Sequence, residues 1–268
     1  MLKTLLKVSV FCLFGAAFVT ESYYWWSRQS NVRIIQITSI AQVQNFLDTE
    51  ILSKPGMAKK TLVFFDLDNT LVEPTTPLAS DQWFDACMRY YQDKGLSLQQ
   101  ANKIVLPMWK ELFLHVHVKP VEPMTIAVLD AIAKKVSVLA VTARSQYSLA
   151  FKQLAEVGIS FQQNPLAQHM FLYNQFRFER GILFCNGADK GAAVAALLQQ
   201  LLLKPKLIVM VDDKIKNLES VAKIVVQQKI DFVGFRYGFL DEKVKNFQLD
   251  QETMALLDVK FASEVASA

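Results

Sequence analysis

Apolar residues in this chain gather in short unbroken runs rather than in strict alternation. The clearest is Thr61-Leu62-Val63-Phe64-Phe65, β-branched and aromatic, which ends abruptly in Asp66-Leu67-Asp68. A strand without polar positions on either face is buried on both, as in a parallel sheet covered by helices. Residues 136–141, 207–211 and 232–235 repeat the pattern, and 182–184 is a shorter version. Helical stretches separate these runs. Residues 127–135 precede the second run, and 145–157 follow it and stop at Gly158. Residues 191–203 stop before Pro205, and 216–228 place Leu218, Val221, Ile224 and Val225 at helical spacing. Strands alternating with helices predict an α/β fold, a three-layer doubly wound parallel sheet of about five strands.

One stretch breaks the alternation. Between Pro74 and Pro123 no strand is predicted; residues 81–93 read as a helix capped by Ser80, and 96–119 as a helix pair interrupted by Pro107. This predicts a small helical cap inserted after the first strand. The domain plan has a signal peptide or N-terminal membrane anchor at 1–20 and a lead-in segment at 21–60, with a short helix near 40–46. The core takes 61–76 and 121–245, the cap 77–120, and a C-terminal tail 246–268.

Composition narrows the class. Of 268 residues, 52% are apolar and 20% charged, so a large core is available and disorder is excluded. Net charge is +4, and two of the positive residues are Lys3 and Lys7. Without a dense basic stripe, nucleic acid is excluded as a partner. The three cysteines, Cys12, Cys87 and Cys185, make no disulfide framework; Cys87 and Cys185 are expected as buried free thiols.

Lys3 and Lys7 precede an apolar run at 8–19 that contains Gly15-Ala16-Ala17, the three parts of a secretory signal. As a helix the run reaches only about 18 Å, short of the ~30 Å hydrocarbon core, which favours cleavage and a periplasmic or secreted protein. Tyr23-Tyr24-Trp25-Trp26 follows directly, and such a cluster suits a membrane interface. The alternative is therefore an uncleaved anchor in the inner membrane.

The chemistry stands at the C-terminal ends of the strands, where open α/β sheets bind ligands. Asp66 and Asp68 follow the first run, Thr142 the second, and Asp212 and Asp213 the run at 207–211; Lys190 opens a helix. Converging carboxylates repel one another, and a hard dication such as Mg²⁺ resolves the repulsion with oxygen ligands and substrate phosphate. Lys190 adds positive charge and Thr142 a hydroxyl donor. The set suits a phosphoryl group, which an aspartate can accept covalently.

Phe65-Asp66-Leu67-Asp68-Asn69-Thr70-Leu71 resembles the first motif of the haloacid dehalogenase superfamily. Thr142 resembles its second, Lys190 its third, and Val211-Asp212-Asp213 with Asn217 its fourth. The resemblance covers about residues 62–237 and points to the exported phosphatase branch. It implies that Asp66 is the nucleophile, that Asp68 is the general acid and base, and that Thr142 and Lys190 bind phosphate. Mg²⁺ would be held by Asp66, the Asp68 carbonyl and Asp213, with Asp212 adjacent or acting through water. Asp68 favours a phosphatase or phosphomutase, since dehalogenases lack it. The implied substrate is a phosphorylated small molecule or a phosphoprotein. A phosphotransferase with the same motifs, or an inactive exported interaction protein on this scaffold, are the alternatives. Arg144 is expected in a surface ion pair, His115 and His117 as ordinary cap residues, and Trp83, Tyr90 and Trp109 in the cap core.

If the N-terminal reading is right, N-terminal sequencing of fractionated cells finds the mature protein outside the cytoplasm, shortened by about 20 residues. Intact Met1 in a soluble cytoplasmic fraction contradicts it, and intact Met1 in the membrane selects the anchor.

Overall fold

A computed structural model describes residues 31–267 of the chain; the expected N-terminal targeting segment and Cys12 lie outside them. The first apolar run forms β2 (Thr61–Phe65), buried at every position. Leu62 and Phe64 enter one apolar cluster, Val63 and Phe65 another on the opposite face. That two-sided burial is why the run is apolar from Leu62 to Phe65; the one hydroxyl, at Thr61, donates to Met57 O at 2.9 Å.

Among the described residues the sheet has eight strands. In chain order they are β1 (Val32–Ile37), β2, β5 (Ser137–Thr142), β6 (Phe171–Tyr173), β7 (Phe176–Glu179), β8 (Ile182–Phe184), β9 (Leu207–Asp212) and β10 (Asp231–Tyr237). Their spatial order is β1-β10-β9-β2-β5-β8-β7-β6. The strands from β1 to β8 in this order pair in parallel; β7 and β6 close the edge antiparallel. Helices α1 (Ala41–Phe46), α4 (Thr125–Ala133) and α5 (Tyr147–Glu156) cover one face, and α6 (Lys190–Gln200) and α7 (Ile215–Gln227) the other. The fold is a three-layer, mostly parallel α/β sandwich. β2 lies between β5 and β9: the chain leaves β2 toward β5 and later returns to β2's other side as β9. Such a reversal of strand order opens a crevice beyond the carboxyl ends of the strands.

Two sheet elements depart from the expectation. Residues 32–37, assigned to the lead-in segment, form parallel edge strand β1 against β10, with Val32, Arg33, Ile34 and Gln36 exposed. The strand count also rises through the hairpin β6–β7, whose exposed Leu172 and Tyr173 hide its periodicity.

After β2 the chain forms β3 (Val72–Pro74), helices α2 (Asp81–Asp93) and α3 (Leu98–Phe113), then β4 (Val118–Pro120). β3 and β4 pair antiparallel, a two-stranded stalk where no strand was expected. Ser80 caps α2 by accepting from Trp83 N at 3.2 Å. Ser97 and Gln100 form a reciprocal capping box on α3. Residues 96–119 are not a broken pair: α3 runs unbroken through Pro107, which faces solvent. On that face the carbonyl that loses its partner can turn to water.

Trp83, Cys87, Tyr91 and Val105 make the cap's own apolar cluster, closed by Leu257. Leu257 belongs to α9 (Gln251–Ser267), which follows the short helix α8 (Asp241–Lys245). The expected tail is therefore a helix clasped to the cap: Tyr91 donates to Leu257 O at 3.0 Å, and its ring stacks on Phe261. Cys87 and Cys185 are buried free thiols in separate clusters.

Candidate active site

Two neighbouring strands, β2 and β9, deliver the acidic groups. Asp66 follows β2, and its N–H donates to Val211 O of β9 at 2.9 Å, which locks the two strand ends together. Asp212 ends β9 and Asp213 follows it. One ligand oxygen from each of Asp66, Asp212 and Asp213 lies within 4.8 Å of the others.

Lys190 enters this cluster from the opposite wall. Its Nζ lies 2.7 Å from Asp66 Oδ1 and 2.7 Å from Asp212 Oδ2, with its side chain 3% exposed. Local structure explains its reach. The loop after β8 takes left-handed conformations at Asn186 and Gly187, with φ of 53° and 78°. Cys185 N and Gly187 N donate to Thr142 O and Ala143 O, both at 2.8 Å, and pin the loop to the end of β5. Asp189 then caps α6 by accepting from Ala192 N at 2.8 Å, leaving Lys190 at the first helical position. Gly191 lets α6 touch α7, since a Cβ there would stand 2.5 Å from Ser220 O.

The cluster is electrostatically tense. The Lys190 ammonium pairs with Asp66 and Asp212, Lys214 is paired with Asp81, and Asp213 converges on the cluster with no ion pair of its own, so the carboxylates outnumber the ammonium groups. Burial pushes the Asp66 carboxyl well above the usual range; Lys190 opposes this, and Asp212, Asp213 and Asp68 add to it. Burial lifts Asp213 to about 7, against Lys214 and with help from Asp212 and Asp81. Although burial opposes it, Asp212 and Asp66 hold the Lys190 ammonium above its ordinary value.

The two adjacent aspartates differ. Asp212 is saturated by Lys190, by Asn217 Nδ2 at 2.9 and 3.1 Å, and by Lys214 N at 2.8 Å. Asp213 Oδ1 is buried without a hydrogen-bond partner. An orphaned oxygen, an elevated carboxyl pKa and surplus negative charge are what a divalent cation relieves, so the residues fit Mg²⁺.

Asp68 does not join Asp66. It is gripped by Arg144, whose Nε and Nη2 donate to its two oxygens at 2.9 and 2.7 Å. Arg144 is therefore no surface ion pair: its side chain is 3% exposed, at the heart of the site. Thr142 is fully buried, and its Oγ1 accepts from Arg144 N at 3.2 Å. His115 and His117 line a separate surface pocket, with His117 paired to Glu156.

A cavity of about 770 Å³ opens over the strand ends, lined by Asp66, Asp68, Lys190 and Asn217 from the core and by Phe84 and Trp109 from the cap. Lys214 bridges the lobes, its Nζ 2.8 Å from Asp81 Oδ2 at the start of α2.

Fold and site together define a doubly wound α/β protein with a capped, acid-rich crevice. The chain belongs to the family described as "Protein of unknown function (DUF2608)", which matches residues 36–262. It is 23% identical, over 65% of its length and 68% of the relative's, to a Chlamydia pneumoniae protein provisionally named as an outer membrane protein. Among solved structures it is similar to a haloacid dehalogenase-like hydrolase from Streptococcus pneumoniae, at 15% identity and TM-score 0.41, covering 65% of this chain and 93% of that one. It is also similar to a haloacid dehalogenase family enzyme from Bacteroides thetaiotaomicron, solved as a magnesium complex, at 11% identity and TM-score 0.36, covering 65% and 92%.

The packing at Gly191 yields a test. Gly191→Ala must push α6 off the α7 backbone, at a cost of roughly 1–3 kcal/mol for an overpacked site. Thermal unfolding is expected to show a clearly lowered melting temperature, and an unchanged one would contradict the close approach.

Proposed function

We propose that this protein is a Mg²⁺-dependent phosphomonoesterase that works through a phosphorylated Asp66 and acts outside the cytoplasm. The observation that carries the reading is the cluster of three converging carboxylates, Asp66, Asp212 and Asp213, with the Lys190 ammonium bound to the two buried ones. The motif resemblance at Asp66, Asp68, Thr142, Lys190 and Asp213 supports it.

Asp66, Asp213 and the Asp68 carbonyl would hold Mg²⁺. Bound there, the ion would balance the excess negative charge and draw charge from the phosphoryl oxygens. Lys190 and Leu67 N both sit on Asp66 Oδ1, so Oδ2 is the oxygen for attack on phosphorus. As that bond forms, the bond from phosphorus to the ester oxygen breaks, and Asp68 supplies the proton to the leaving oxygen. Asp68 then takes a proton from water as the water oxygen attacks phosphorus, releasing phosphate and the Asp66 carboxylate. Lys190 offers charge, and Thr142, whose oxygen already accepts from Arg144 N, offers its hydroxyl proton to a phosphoryl oxygen.

The cavity has room for a phosphorylated small molecule or a phosphorylated protein side chain. Action in the cell envelope is supported by the charged and apolar N-terminal segment and by the outer-membrane name of the Chlamydia relative. No helix among the described residues is long and apolar enough to cross a membrane.

Turnover of p-nitrophenyl phosphate tests this. The wild type is expected to be active with Mg²⁺ and inactive after chelation. Asp66→Asn is expected to be inactive, because no other group supplies the bond-forming oxygen. Asp68→Asn is expected to lose roughly 10²- to 10⁴-fold in rate. Full activity of Asp66→Asn contradicts the mechanism.

A further inference from the structure

The proposed chemistry asks Asp68 to give a proton and later take one, yet in the folded chain both Asp68 oxygens are held by one arginine. We infer that Arg144 is the positioning residue for Asp68 and ties its orientation to the place where the cap returns to the core. This inference rests on the phosphatase reading.

Every side of the Arg144 guanidinium is used. Nε and Nη2 form a fork on Asp68, a geometry that fixes the plane of a carboxylate as well as its position. Nη1 donates to Gln153 Oε1 at 2.7 Å. Gln153 in turn donates to Val116 O at 2.7 Å, in the linker between α3 and β4. The guanidinium carbon lies over the Phe113 ring, 4.9 Å from its centroid, and Phe113 is the last residue of α3. Arg144, Gln153 and Phe113 are all buried, so these contacts form in a site of low polarity where alternatives in water are remote. The Arg144 side chain therefore has one hand on the Asp68 carboxylate and reaches the cap's return twice, directly at Phe113 and through Gln153 at Val116. A cap displaced at Phe113 or Val116 withdraws support from the guanidinium and so loosens Asp68.

This arrangement separates Arg144 from a phosphate-binding arginine. An arginine that held substrate phosphate would affect binding of every ester alike. An arginine that aims the general acid matters in proportion to how badly the leaving oxygen needs a proton. p-Nitrophenolate leaves with little protonation, whereas phenolate needs more.

The experiment compares kcat and KM for p-nitrophenyl phosphate and phenyl phosphate in wild type, Arg144→Ala and Arg144→Lys, with Mg²⁺ present. Misplacing a catalytic group by about 1 Å costs on the order of 10²-fold. Arg144→Ala is expected to lose about that much kcat on phenyl phosphate and about tenfold less on p-nitrophenyl phosphate, with KM little changed. Added guanidinium ion is expected to restore part of the lost kcat in Arg144→Ala. Arg144→Lys keeps charge and stem but not the fork, so it is expected to show the same leaving-group bias in smaller measure. It also carries the test if the alanine variant fails to fold. An equal loss on both esters, a rise in KM alone, or wild-type rates in folded variants overturns the positioning role. A wild type that turns over neither ester fails earlier, at the phosphatase reading, and takes this inference with it.

Discussion

The buried ammonium of Lys190 between Asp66 and Asp212 is the contact on which the rest of the site depends. It joins the ends of two adjacent strands to a helix that starts on the far side of β5 and β8. Without it, two buried carboxylates would face each other unpaired, a situation that costs roughly 3–5 kcal/mol when one partner of a buried pair is removed. The arrangement also explains the glycines around it. Gly187 turns the loop, and Gly191 allows the helix to approach α7 closely enough for Lys190 to reach the cluster. One lysine does not neutralise three carboxylates, and that imbalance is what makes the crevice suited to a dication rather than a sealed structural ion pair.

The second ion pair, Arg144 with Asp68, has a different character. It balances its own charge, and it lies against the cap's return as well as at the strand ends. A third, Lys214 with Asp81, connects the loop after Asp213 to the first cap helix. Each of the two pairs bears on the core and the cap at once. Together with α9, which leaves the core and clasps α2 through Tyr91 and Leu257, they hold the cap over the cavity. The position of the cap is thus encoded in polar contacts beside the acidic crevice and in an apolar clasp behind them.

Much of this was legible in the sequence for a physical reason. Strands buried on both faces are apolar through their centres, so β2, β5, β9 and β10 announced themselves, and Asp66, Asp68, Thr142, Asp212 and Asp213 stood where the first three of these runs ended. What stayed hidden depends on partners far along the chain. β1 is an edge strand with exposed Arg33 and Gln36, and its pairing with β10 spans 200 residues. Arg144 reads as a surface residue until Asp68, 76 residues earlier, folds back on it. Residues 251–267 lack a strong amphipathic stripe, and only the cap surface shows which of their side chains is buried. Pro107 misled because its effect depends on which face of the helix it occupies, and here that face is solvent.

The central claim is that Asp66 accepts a phosphoryl group in a site completed by Mg²⁺. Beryllium fluoride mimics a phosphoryl group on a carboxylate, and fluorine NMR reports its binding directly. The account predicts a bound signal for wild-type protein with Mg²⁺, its loss on chelation, and no signal for folded Asp66→Asn. A bound signal in Asp66→Asn equal to that of the wild type would contradict it.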